Sequence, residues 1–254
     1  MSGHSKWSKI KHQKGAKDAK RGELFTKLGK DIAMSASEGG GDPDMNFSLR
    51  LAIEKAKQAN MPKDNIERAV KKGTGELAGD TLQRVTYEAY GQAGVALIID
   101  TTTDNTNRTV SDVKKLLESK GGKMAEPGSV LWQFEEKGLV VVSSKKLEKA
   151  QKHGQEDKYV NVDKDEVILE IMDIEGVEDV HVEDEIEVLC PKNQLKKVHE
   201  ELIKLKLKVE SAELVKIAKE GIEADDSNRQ KVSELVESLE ENEDVNSVWT
   251  NIAE

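Results

Sequence analysis

Apolar residues recur at helical spacing over the first third of the chain. Leu24, Phe25, Leu28 and Ile32, extended by Ala33 and Ala36, predict a helix over residues 14–37. Gly39-Gly40-Gly41-Asp42-Pro43 ends it. Leu49, Ile53 and Ala56 predict a second helix over 46–59, broken by Asn60-Met61-Pro62. Pro62 suits the first turn of a third helix, which turns Ile66, Ala69 and Val70 inward and stops near Gly73. The period then changes. Val85, Tyr87 and Ala89 alternate as a half-buried strand does, and Gly91–Gly94 turns the chain into the apolar strand 95–99. Residues 101–107 lead into a helix with Val110, Val113, Leu116 and Leu117 inward, closed by Gly121-Gly122.

A further alternation, Val130, Trp132 and Phe134, opens another α+β unit, followed by the run 139–142. The pattern allows a helix over 145–153 and reads 155–163 as polar loop. Val167, Ile168, Ile171 and Met172 mark a helix, and Val180/Val182 with Ile186/Val188/Cys190 a hairpin. Leu195, Val198, Leu202 and Leu205 mark one more helix, and 209–218 a strand. After a loop at 221–228, Val232, Leu235, Val236 and Leu239 predict a last helix, and 245–252 a last strand carrying Trp249.

The piece 79–129 has two strands and one helix, too little sheet to bury itself, and the tail 208–254 supplies the missing strands and helix. The expected fold class is therefore α+β and multidomain. An N-terminal helical bundle (1–78) precedes two ferredoxin-like α/β sandwich domains, one split (79–129 plus 208–254), the other (130–207) inserted in it.

Charge sharpens this picture at one end. Residues 1–30 hold nine Lys/Arg against Asp18 and Glu23, a charge of +7, whereas the whole chain carries −10. Such a split points to a polyanionic partner met at one end. Lys6, Lys9, Lys11, Lys14, Lys17, Lys20 and Arg21 recur every one to three residues, a spacing that tracks a phosphate backbone. Trp7, His4 and His12 are interleaved and suit stacking on unpaired bases. Lys63, Arg68, Lys71 and Lys72 decorate the third helix. The competing reading is a solvated basic tail.

Other chemistry is sparse. There is no Gly-x-x-x-x-Gly-Lys-Ser/Thr loop and no Gly-x-Gly-x-x-Gly turn. The five histidines show no metal spacing, and His181 and His199 read as surface residues. Cys190 is the only cysteine, which excludes an intrachain disulfide and suits a reducing, cytoplasmic setting. No apolar run approaches the roughly 18 residues of a membrane span. No enzyme, metal, cofactor or membrane partner is expected, and a monomer is favoured. The one polar cluster resembling a small-molecule site is Asp104-Asn105-Thr106-Asn107-Arg108, and its simpler reading is helix capping by Asn107 or a neighbour.

Three stretches resemble the YebC/PmpR family. One is Gly3-His4-Ser5-Lys6-Trp7-Ser8-Lys9-Ile10-Lys11-His12-Gln13-Lys14, continuing to Lys20-Arg21-Gly22. The second is Asn60-Met61-Pro62-Lys63-Asp64-Asn65-Ile66-Glu67-Arg68-Ala69-Val70-Lys71-Lys72-Gly73. The third is Tyr87-Glu88-Ala89-Tyr90-Gly91, Gly94-Val95-Ala96, Thr103 to Thr109, Gly121-Gly122 and Gly128-Ser129-Val130. Ala89 stands where the family usually has Gly, and Pro127 where it has Ser. The resemblance implies a cytoplasmic three-domain protein with a helical N-terminal domain. It also implies a regulator of transcription that binds promoter DNA. The mitochondrial relatives imply translational activation, and the bacterial ones a ribosome-bound factor that touches ribosomal RNA and relieves stalling on proline-rich stretches.

Overall fold

The computed structural model describes residues 18–79, 81–148, 157–182 and 184–253. It is an α+β protein in which a helical bundle precedes two antiparallel sheets. One compact unit ends at Glu135 and resumes at Ile217; Glu136–Lys216 forms the other.

The bundle comprises α1 (Asp18–Gly39), α2 (Phe47–Gln58) and α3 (Lys63–Gly73). Leu28, Ile32 and Ala36 pack with Leu49 and Ala56 of α2 and with Ile66 and Ala69 of α3, the residues the 3.6-residue period selects. Asn46 starts α2: its side-chain oxygen accepts from the Leu49 N–H at 3.1 Å. Its amide donates to the carbonyls of Ser35 (2.7 Å) and Gly40 (2.9 Å), which fixes the turn from α1. Helix α3 closes on α1 at Gly73, where a Cβ would collide with the Ala33 carbonyl and lie 2.7 Å from the Ala36 methyl.

The same unit holds a four-stranded sheet in the order β3-β1-β2-β9, with β1 Gln83–Tyr90, β2 Ala96–Thr103, β3 Lys123–Met124 and β9 Val245–Thr250. Strand β2 is central and buried on both faces, which explains its continuous apolar run. Leu97 and Ile99 face α4 (Thr106–Ser119) and α7 (Asp226–Glu240), meeting Val113, Leu117, Leu235 and Leu239. Ala96 and Ile98 face the other way, onto Val130, Phe134 and Trp249. The strand also runs past the expected 95–99: Thr101, Thr102 and Thr103 lie buried in it. Thr101 gains its partner by donating to the Val85 carbonyl at 2.7 Å.

The second sheet contains β4 (Phe134–Glu148), β5 (Lys158–Asn161), β6 (Asp179–Val182), β7 (Ile186–Pro191) and β8 (Leu207–Ala218). In the second unit α5 (Lys164–Met172) buries Val167 and Ile171, and α6 (Leu195–Lys204) buries Leu195, Val198 and Leu202.

Several expectations change here. Residues 145–148 continue β4 instead of opening a helix, because Lys145, Lys146 and Leu147 pair with Asn161, Val160 and Tyr159 of β5. Part of the expected loop 155–163 is therefore strand; residues 149–156 lie outside the described residues. The alternation Val130/Trp132/Phe134 is not a strand but a 3-10 turn over Leu131–Gln133 leading into β4. Residues 208–216 lie in the second unit rather than with the tail, because β8 pairs with β4 as one long strand. His199 is buried, since the inward face of α6 is broad enough to take it beside Leu195 and Leu202.

Candidate nucleic-acid interface

Burying Ile66 and Ala69 leaves Lys63, Arg68, Lys71 and Lys72 on the solvent side of α3, and all four are exposed. Lys63 makes an exposed i,i+4 pair with Glu67 at 3.5 Å, which is worth little. Among the described residues no acid pairs with Arg68, Lys71 or Lys72. Arg21 is exposed on α1, its guanidinium 6.0 Å from the Phe25 ring centre. Lys20 lies on α1. His4, Lys6, Trp7, Lys9, Lys11, His12, Lys14 and Lys17 lie outside the described residues.

Two cations of the basic segment turn inward. Lys27 donates to the carbonyl of Glu240 at the last turn of α7, where free carbonyls and the helix dipole favour a cation. Burial lowers its pKa, opposed by the charge of Glu240. Lys30 lies 2.6 Å from the Asp244 carboxylate.

Asp244 is a junction that no local sequence signal marks. Its side chain is 1% exposed. It accepts from Lys30 on α1, from Arg108 on α4 at 3.0 Å, and from the Thr109 hydroxyl at 2.7 Å. Thr103 at the end of β2 adds a contact at 3.3 Å. Burial alone pushes this carboxyl up, but the bonds from Lys30, Thr109 and Arg108 hold it below its ordinary value. Asp244 follows Glu240-Glu241-Asn242-Glu243, so in the sequence it reads as one more surface acid.

This junction decides the role of the polar cluster at 104–108. Asn105, not Asn107, caps α4, accepting from the Arg108 N–H at 3.1 Å. Asn107 is exposed, and its carbonyl accepts from Ser111. Arg108 is engaged by Asp104 at 2.8 Å and by Asp244. The cluster thus starts a helix and ties it, through Arg108, to Asp244, which in turn holds Lys30 of the bundle.

Cys190 is buried, and its thiol is pushed up to about 11, first by burial and then by the charge of Glu178. At neutral pH it is therefore a thiol and a poor nucleophile, and it donates to the Gly138 carbonyl. Among the described residues no group of His, Cys, Asp or Glu is arranged to hold a metal ion, and no helix is long and apolar enough to cross a membrane.

Known proteins share this architecture. The family model described as TACO1/YebC protein N-terminal domain matches residues 5–76. The one described as TACO1/YebC second and third domain matches 82–252. A probable transcriptional regulatory protein of Thermoanaerobacter pseudethanolicus is 42% identical over 99% of this chain and 97% of its own length. One of Roseiflexus castenholzii is 45% identical over 99% of this chain and 95% of its own. The crystal structure of a conserved hypothetical protein from Aquifex aeolicus superposes with a TM-score of 0.82 at 37% identity, covering 96% of this chain and 95% of that one. The two family models together span nearly the whole chain, across the bundle and both sheets, and the chain belongs to the TACO1/YebC family.

Proposed function

We propose that this protein is a non-catalytic regulator of gene expression that binds DNA through its basic arm and the exposed cationic face of α3. The carrying observation is that face: Arg68, Lys71 and Lys72 project from a helix whose other side is buried, without acidic partners among the described residues. The relatives' name, probable transcriptional regulatory protein, agrees with it. The reading places the protein in the cytoplasm, which the single free cysteine suits.

A second reading, a translation factor bound to ribosomal RNA, draws on Trp7 set among cations, because RNA offers unstacked bases. Crosslinking in cells, with sequencing of bound DNA and RNA, separates the two. In vitro, five to seven phosphate contacts by arm and α3 give a slope of log K against log salt of about −4 to −6. A slope near zero on both DNA and RNA would rule out the arm and α3 as the contact surface.

A further inference from the structure

We propose that Trp132 is a stacking platform for an unpaired base of a single-stranded nucleic acid, a contact separate from the basic arm and α3. The inference rests on the nucleic-acid reading above. Trp132 is 66% exposed, an unusual position for the largest apolar side chain, yet it is held in place. Its indole N–H donates to the Ser129 carbonyl at 2.9 Å, and the Tyr90 hydroxyl reaches the same oxygen at 3.4 Å. The turn beneath is fixed from inside: the buried Glu88 carboxylate accepts the backbone N–H groups of Gly128, Val130 and Leu131. From outside, the Lys219 ammonium donates to the Trp132 carbonyl at 2.8 Å. A ring pre-set in this way loses little rotamer freedom when a flat partner lands on it.

The surroundings favour a base over a protein surface. Within the 3-10 turn Leu131–Gln133 only Leu131 accompanies the ring as an exposed large apolar residue, whereas the core of a protein interface needs a broader apolar patch. One ring face is enough for one base. Along the flanking segments exposed Lys123 and Lys219 stand against exposed Glu126, Glu135 and Glu220, so the ring has no cationic surround. Its contribution is therefore stacking, while the arm and α3 supply the electrostatic attraction.

That division sets the test. The full chain and its Trp132→Ala, Trp132→Phe and Lys71→Ala/Lys72→Ala variants are titrated with a labelled unstructured 12-nucleotide RNA, and with DNA of the same sequence, at several salt concentrations. Trp132→Ala should weaken binding to one or both probes roughly five- to hundredfold, the range for losing one base–aromatic stack, with an unchanged salt slope. Trp132→Phe should keep most of the affinity. The probe more affected identifies the source of the base. If the alanine variant melts early, the phenylalanine variant decides: retained affinity supports the platform and lost affinity overturns it. Wild-type affinity in Trp132→Ala, with the lysine variant weakened, would overturn this inference and leave the proposed function standing. If the wild-type chain binds neither probe, both fall.

Discussion

Lys30 Nζ and the Asp244 carboxylate lie 2.6 Å apart, joining the helical bundle to the turn before the last strand. Asp244 is nearly inaccessible and holds Arg108 and Thr109 as well, so its removal orphans several groups at once. Removing one partner of a buried pair costs about 3–5 kcal/mol. Asp244→Ala should lower unfolding stability by about 3 kcal/mol, more than Lys30→Ala, because without Lys30 the Asp244 carboxylate still accepts from Arg108 and Thr109. Urea melts of both variants check this ordering.

The same carboxylate gives stability a pH dependence. Asp244 and Glu88 both have folded pKa values below the ordinary ones; burial raises each, but hydrogen bonds outweigh it. Below the ordinary carboxylate range the unfolded chain binds more protons, so their stabilisation is full at neutral pH and is lost as pH falls through the folded values. Asp31 acts in the opposite sense, because burial raises it against Lys55 and Arg84. Melts between pH 7 and pH 3 should show a steeper acid loss in wild type than in Asp244→Ala. Parallel curves would remove Asp244 from the account.

Glu88 organises the turn that carries Trp132. Glu88→Gln keeps the shape but points an amide N–H₂ at backbone donors. Each buried donor left unmatched costs about 1–3 kcal/mol, so a loss of about 3 kcal/mol is expected. Hydrogen exchange at Gly128, Val130 and Leu131 should quicken in this variant. Unchanged protection there would contradict the anchoring role.

Gly73 sits where α3 meets α1. In a helix Ala is favoured over Gly by about 1 kcal/mol, so propensity alone predicts that Gly73→Ala stabilises. The added methyl would strike the Ala33 carbonyl, and overpacking costs about 1–3 kcal/mol. The steric cost should win, with a net loss near 1–2 kcal/mol on thermal or urea melting. A more stable variant would mean that the helices separate freely.

Lys71→Ala/Lys72→Ala touches only solvent-facing residues, so stability should stay within about 0.5 kcal/mol. If both lysines meet phosphates, the salt slope of nucleic-acid binding should flatten by about two. Trp7→Ala should differ in kind, lowering single-stranded RNA affinity by about 1–3 kcal/mol without changing the slope. Equal slopes for the lysine variant and wild type would take α3 out of the interface.

By itself the sequence determined the helices and the central strands, because their cores are drawn from local periodicity. Leu28, Ile32 and Ala36, or Val232, Leu235 and Leu239, are buried just where a 3.6-residue repeat puts them. It also determined the cationic character of α3, since a helix that buries Ile66 and Ala69 must expose Arg68 and Lys71. The tertiary structure alone decided what depends on partners far along the chain. Residues 145–148 became strand because β5 supplied hydrogen bonds that local propensity does not foresee. Residues 131–133 became a turn because Glu88, some forty positions earlier, captures the N–H groups that a sheet would have used. Asp244 became a buried junction because its cationic partners come from α1 and α4, 214 and 136 residues away. A pattern along the chain records which face a residue turns inward; it does not record which distant donor will meet it there.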